Sequence, residues 1–134
     1  MPELDIAPEK VAWLIVRARE YDAKVAAFDS AATDAYEQPG AILENRRLDP
    51  TREEITGFIR ALNQDEQANL VALVWVGRGT YAPDEWESAL ETARQERRKS
   101  AVGYLLGIPM LAEYLEAALD AFGYSAKELE ESVT

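Results

Sequence analysis

The chain has 134 residues, 48% of them hydrophobic, and carries 25 acidic against 14 basic side chains, for a net charge of −11. That length supports one domain with an ordinary core. The charge argues against binding to nucleic-acid backbones or anionic membrane surfaces, both of which rest on clustered Lys and Arg. Cysteine and histidine are absent. Thiol nucleophiles, disulfides, thiolate and imidazole metal sites and the usual near-neutral general base are therefore excluded.

Met1 to Asp5 has neither a basic start nor an apolar run, so no secretory signal is expected. Pro8 opens a first helix, where a missing amide costs nothing. Ile6 and Val11 are spaced as a hydrophobic staple around it. Val11, Leu14, Ile15, Ala18, Tyr21, Val25 and Phe28 then share one face at helical period, with Arg17, Glu20 and Lys24 opposite. Trp13 and Val16 lie off that stripe, either as a second contact surface or, the favoured reading, as the edge of a broad buried face.

Residues 30–50 contain Asp34, Glu37 and Gln38-Pro39-Gly40 and have no sustained period, which predicts an irregular or mobile loop with room for a helical turn near Ala41 to Asn45. Thr51-x-x-Glu54 reads as a capping box for a short second helix with Ile55, Phe58, Ile59 and Leu62 inward.

Leu70 to Gly77, LVALVWVG, is the longest run without a charged or strongly polar side chain, so the rest of the chain has to wrap it. Two readings compete. A buried strand ending in Gly77-Arg78-Gly79-Thr80-Tyr81-Ala82 matches the G-x-G-x-x-A dinucleotide fingerprint. A buried helix instead starts after Asn63, whose side chain and Glu66 form a capping box, and ends at Gly79 in a left-handed conformation. The helix is favoured, because no second strand follows and the region about 20 residues on is Glu96-Arg97-Arg98-Lys99.

Tyr81 and Trp86 bracket Pro83 at the start of a fourth helix expected to reach Lys99, with acids in its first turn and Arg97, Arg98 and Lys99 in its last. Ser100 to Leu106 gives a further turn or two. From Pro109, Leu111, Tyr114, Leu115, Ala118, Leu119 and Phe122 form the cleanest amphipathic pattern in the chain, closed by Gly123. Ser125-x-x-Glu128 caps a short last helix. The apolar window from Ala101 to Leu119 holds Pro109, Glu113 and Glu116, which marks a core helix rather than a membrane span.

The densest polar group is Arg78, Tyr81, Asp84, Glu85 and Trp86. As a ligand site, Arg78 would grip a carboxylate or phosphate, with Tyr81, Asp84 and Trp86 around it. The plainer reading is structural: Arg78 bridges a carbonyl-rich helix end and an acidic helix start across a tight corner. Glu113 and Glu116 fall on the polar side of their helix, and Glu-x-x-His is absent, so a carboxylate-bridged metal centre is not expected.

The stretch LNQDEQANLVALVWVGRGTYAPDEWESALETAR, with YLLGIPMLAEYLEAAL and APEKVAWLIVRAREYDAK, resembles an uncharacterised bacterial family, domain-of-unknown-function family 3775. The resemblance implies a shared helical fold and a bacterial source, and nothing chemical. The expectation is one all-α domain over residues 1–134, with five to seven helices around the central one. It carries no catalytic residues, no metal and no cofactor. Its function is that of a cytosolic interaction or regulatory protein, acting as a homodimer or with a protein partner, and not on nucleic acid or membrane. The alternative is a small-molecule or anion binder, or an enzyme, with its site at Arg78, Tyr81, Asp84 and Trp86.

Overall fold

A computed structural model describes residues 4–32, 50–96 and 101–134, with side chains up to residue 24 in the first stretch. Among the described residues there are seven α-helices and no strand: α1 (Pro8–Ala32), α2 (Pro50–Ala61), α3 (Gln64–Arg78), α4 (Trp86–Gln95), α5 (Ala101–Leu106), α6 (Leu111–Ala121) and α7 (Ala126–Ser132), with a 3₁₀ turn at Pro83–Glu85. The protein is all-α.

The apolar run is the helix α3, and its two ends explain why. At the start, the Asn63 side chain accepts from Glu66 N at 2.8 Å, while Asn63 N donates to Glu66 Oε1 at 3.0 Å. Two amides that no helical carbonyl can reach are thereby satisfied. At the end, Gly79 takes φ 91°. Its N–H donates to Val76 O at 3.0 Å and Thr80 N donates to Trp75 O at 2.9 Å. This paired closure needs a left-handed residue, which glycine adopts without a Cβ clash. A strand is excluded and the dinucleotide fingerprint with it.

Every residue from Ala68 to Val76 is buried. Full burial of side chains such as Leu70, Leu73 and Val74 stabilises by about 1.5–3 kcal/mol each. α6 and α4 cover most of α3, α1 lies across α6 and α7, and α5 reaches both α2 and α3. Asn69, fully buried, straps the N-terminal segment to α3: its Oδ1 accepts from Asp5 N at 3.0 Å and its Nδ2 donates to Asp65 O at 2.8 Å. Ile6 and Val11 are both buried, as the staple requires. The edge position of Trp13 is filled by Phe58 of α2, with ring centroids 4.4 Å apart.

Some boundaries differ from the sequence expectation. α1 runs through Ala32 and α2 begins at Pro50. The rest of the 30–50 stretch lies outside the described residues, as do the side chains of Val25 and Phe28 and the cluster Arg97, Arg98 and Lys99. Thr51 is inside the first turn of α2 rather than capping it, and its hydroxyl accepts from Lys24 Nζ at 2.6 Å. Pro83 begins a single 3₁₀ turn, and α4 proper starts at Trp86. α6 starts at Leu111, two residues after Pro109, because Ile108 to Met110 form a tight turn with Leu111 N donating to Ile108 O.

α3 and α6 approach unusually closely. A Cβ placed on Gly77 would stand 1.8 Å from Tyr114 O and 2.6 Å from Tyr114 C. The two glycines that mimic a nucleotide loop in the sequence therefore have separate packing roles: Gly77 admits the backbone of α6, and Gly79 ends α3.

Candidate functional site

Two places concentrate polar chemistry: the corner from Gly77 to Trp86, and the seam where α1, α6 and α7 meet.

At the corner, the candidate residues face different ways. Arg78 is exposed, and its Nε donates to Thr80 Oγ1 at 3.1 Å. It makes no ion pair with Asp84 or Glu85. Glu85 turns back instead, its Oε1 accepting from Ala82 N at 2.8 Å and capping the 3₁₀ turn. Asp84 is exposed. Tyr81 stacks on Trp75, centroids 5.9 Å apart, and its hydroxyl donates to Thr92 Oγ1 at 3.2 Å. Trp86 is buried edge-on against Phe122, at 5.2 Å and 77°. Tyr81 and Trp86 thus tie α4 to α3 and α6, while Arg78 and Asp84 stand in solvent. The acidic turn before α4 does not pair with Arg78: Glu85 caps its own turn and Asp84 is exposed.

The seam is not visible in the sequence. Arg19 projects from α1 with two carboxylates on one guanidinium. Its Nη2 donates to Glu116 Oε2 of α6 at 2.7 Å, and its Nη1 donates to Glu130 Oε1 of α7. These residues are 97 and 111 positions from Arg19 in sequence. Burial works against the charge on Arg19, but Glu116, Glu130 and Glu113 outweigh it and hold the guanidinium above its ordinary value. Glu116 is held below the usual carboxylate range, first by its hydrogen bond with Glu130 and then by Arg19. Glu130 goes the other way, pushed up to about 7 by burial and by the neighbouring Glu116 carboxylate. Glu130 Oε2 is buried with no hydrogen-bond partner. Asp22, also on α1, is raised by burial and by the charge of Glu113. The sequence places Glu116 on the polar face of its helix, and no local pattern announces its pairing.

A third ionic contact lies at the entrance to α3. Glu66, already capping, also accepts from Lys10 Nζ at 2.8 Å. Lys10 and the Asn63 amide hold its carboxyl below the usual range. Among the described residues no group of three or more Asp or Glu is placed to hold a metal ion. No described helix is long and apolar enough to cross a membrane. A depression between α3 and α4 is lined by Ala68, Val71, Trp75 and Arg94, together with Glu96 and Ala101.

A family model described as a protein of unknown function, domain-of-unknown-function family 3775, matches residues 52–124. The match takes in α2 through α6, the part of the chain built around α3, and the chain belongs to that family. No curated protein and no solved structure matches it.

Proposed function

We propose that the protein acts by binding another protein chain, a second copy of itself or a regulatory partner in the cytoplasm, and not by transforming a small molecule. The observation that carries this reading is how the polar groups are used. Among the described residues, every carboxylate with a clearly shifted protonation is set by burial and by other side chains of the fold: Glu116 and Glu130 with Arg19, Glu66 with Lys10, and Asp22 by burial and the charge of Glu113. Arg19, Glu116 and Glu130 do line an open groove, but their charged atoms engage one another across the seam rather than a space left for a reactant. The lack of histidine and cysteine narrows the remaining chemistry further. The net charge of −11 favours a basic protein surface as the complement and disfavours nucleic acid.

The test is a thermal-shift screen with nucleotides, sugar phosphates, carboxylic acids and divalent metals, run on wild type and Arg78→Ala together. A ligand at a hundred times its dissociation constant stabilises by about 2.7 kcal/mol, which raises Tm by several degrees in a domain this size. No class should produce a shift. A reproducible rise that disappears in Arg78→Ala would replace this reading with a ligand site at Arg78, Tyr81, Asp84 and Trp86.

A further inference from the structure

We infer that Arg19, Glu116 and Glu130 form a proton-operated latch: a proton held between the two carboxyls docks α7 on α1 and α6, and its loss loosens α7.

The geometry favours such a proton. One guanidinium faces two carboxylates, through Arg19 Nη2 on Glu116 Oε2 and Arg19 Nη1 on Glu130 Oε1. With both acids ionised, one negative charge is left over in a seam where the Glu130 side chain is only 12% exposed. Glu130 Oε2 is then a buried acceptor with no donor. A proton on Glu130, donated to Glu116, removes both defects in one step, because a protonated carboxyl is a donor.

The surrounding groups do not supply an alternative. From α1, Asp22 is itself raised by burial and by Glu113. From α6, Glu113 adds negative charge felt by Arg19, and Asp120 Oδ1 is engaged by Ala126 N at 3.1 Å. From α7, Lys127 and Glu131 line the same groove as Arg19, Glu116 and Glu130. The groups that set the protonation of Glu130, beyond burial, are Glu116 and Arg19.

α7 is a suitable element to be controlled this way. It has seven residues, far below the length at which a helix stands alone in water. Its apolar anchorage is slight: Ala126 is its one buried side chain, and Leu129 is only partly covered. A change at Glu130 is therefore a large fraction of what holds it.

The sign follows from Glu130 being raised in the folded state, to about 7. Its contribution to docking is complete below the ordinary carboxylate range and is lost as pH rises through about 7. Glu116, being lowered, contributes above the ordinary carboxylate range and fails only in acid, outside this window. Without histidine or cysteine the window holds no ordinary imidazole or thiol, and Asp22, itself raised, is invisible to a glutamate label.

The experiment is a carboxyl ¹³C NMR titration of glutamate-labelled protein, joined to amide hydrogen exchange of α7 at pH 6 and pH 8, corrected for intrinsic rates. Wild type should show one glutamate carboxyl titrating near neutrality, absent from Glu130→Gln. α7 amides should lose about tenfold protection between the two pH values in wild type and keep it in Glu130→Gln, with α3 amides unchanged in both. If every glutamate in wild type titrates below about pH 5.5, the latch does not exist. The same conclusion follows if α7 protection is independent of pH in wild type, or falls equally in Glu130→Gln. The titration on wild type decides the matter even if the variant fails to fold, and it does so whether or not a protein partner is found.

Discussion

Replacing Gly77 by alanine should destabilise the protein, against the usual effect of that change in a helix. In a solvated helix, Gly→Ala is worth about 1 kcal/mol of added stability. At position 77 the new Cβ would lie 1.8 Å from the Tyr114 carbonyl oxygen, whereas real Cβ contacts do not fall below 3.0 Å. α3 and α6 must therefore separate by at least about 1.2 Å, and no rotamer change can relieve a clash with main chain. The interface that opens is the largest on α3, and both helices contribute fully buried leucines to the core, Leu73 from α3 and Leu115 and Leu119 from α6. Overpacking of a close-packed core costs about 1–3 kcal/mol, occasionally more, and an immobile obstacle places this case at or above the upper end. Net of helix propensity, the expected loss is about 2 kcal/mol. Gly57 provides the control: it is exposed in α2, and a methyl group added there would meet nothing within 4 Å, so Gly57→Ala should gain about 0.5–1 kcal/mol. Urea melts of the two variants, followed by circular dichroism, give both numbers. If Gly77→Ala is as stable as wild type, the α3–α6 approach is wider than described and Gly77 is not needed to admit α6.

Gly79→Val should cost about 1–2 kcal/mol or more, since a β-branched residue is forced to φ 91°, and an unchanged melt would place the end of α3 elsewhere. Trp75→Ala should cost about 3–5 kcal/mol, because a 5% exposed indole that stacks on Tyr81 and donates to Tyr104 Oη at 2.9 Å is emptied; a loss under about 1 kcal/mol would refute its burial. Glu66 is lowered in the folded state, so its stabilisation is present above the ordinary carboxylate range and is lost as pH falls through its depressed value. Glu66→Gln should therefore flatten the acid limb of the stability curve, and an unaltered limb in the variant would show that the Lys10–Glu66 pair does not matter there.

What can be read from the sequence is what is local. Asn63 with Glu66, and Gly79, mark the ends of α3 because caps are satisfied by residues three or four positions away, and the helix occupies those bounds. The α6 stripe is legible for the same reason: Leu111, Leu115, Ala118, Leu119 and Phe122 are all buried. Pro83 and Pro109 mislead by two or three residues, since proline is equally at home in the turn that precedes a helix. The Arg19 cluster is illegible, because its members are brought together only when α1, α6 and α7 pack. The same holds for Gly77, whose role depends on the backbone of Tyr114, and for Asn69, whose partners are in a segment 64 residues earlier and in its own preceding turn. Arg78 stands out in the sequence because charged and aromatic residues crowd around it there. In space its neighbours Tyr81 and Trp86 turn into the core, and it is left with Thr80.

If this fold works through contact with another protein chain, that contact can be weighed. Native mass spectrometry of the protein recovered under gentle conditions from the cells that make it measures it directly. The expected spectrum shows the chain with a further protein mass, either a second copy or a distinct partner. A bare monomer, or a monomer carrying a nucleotide, sugar phosphate or other small molecule, would contradict it.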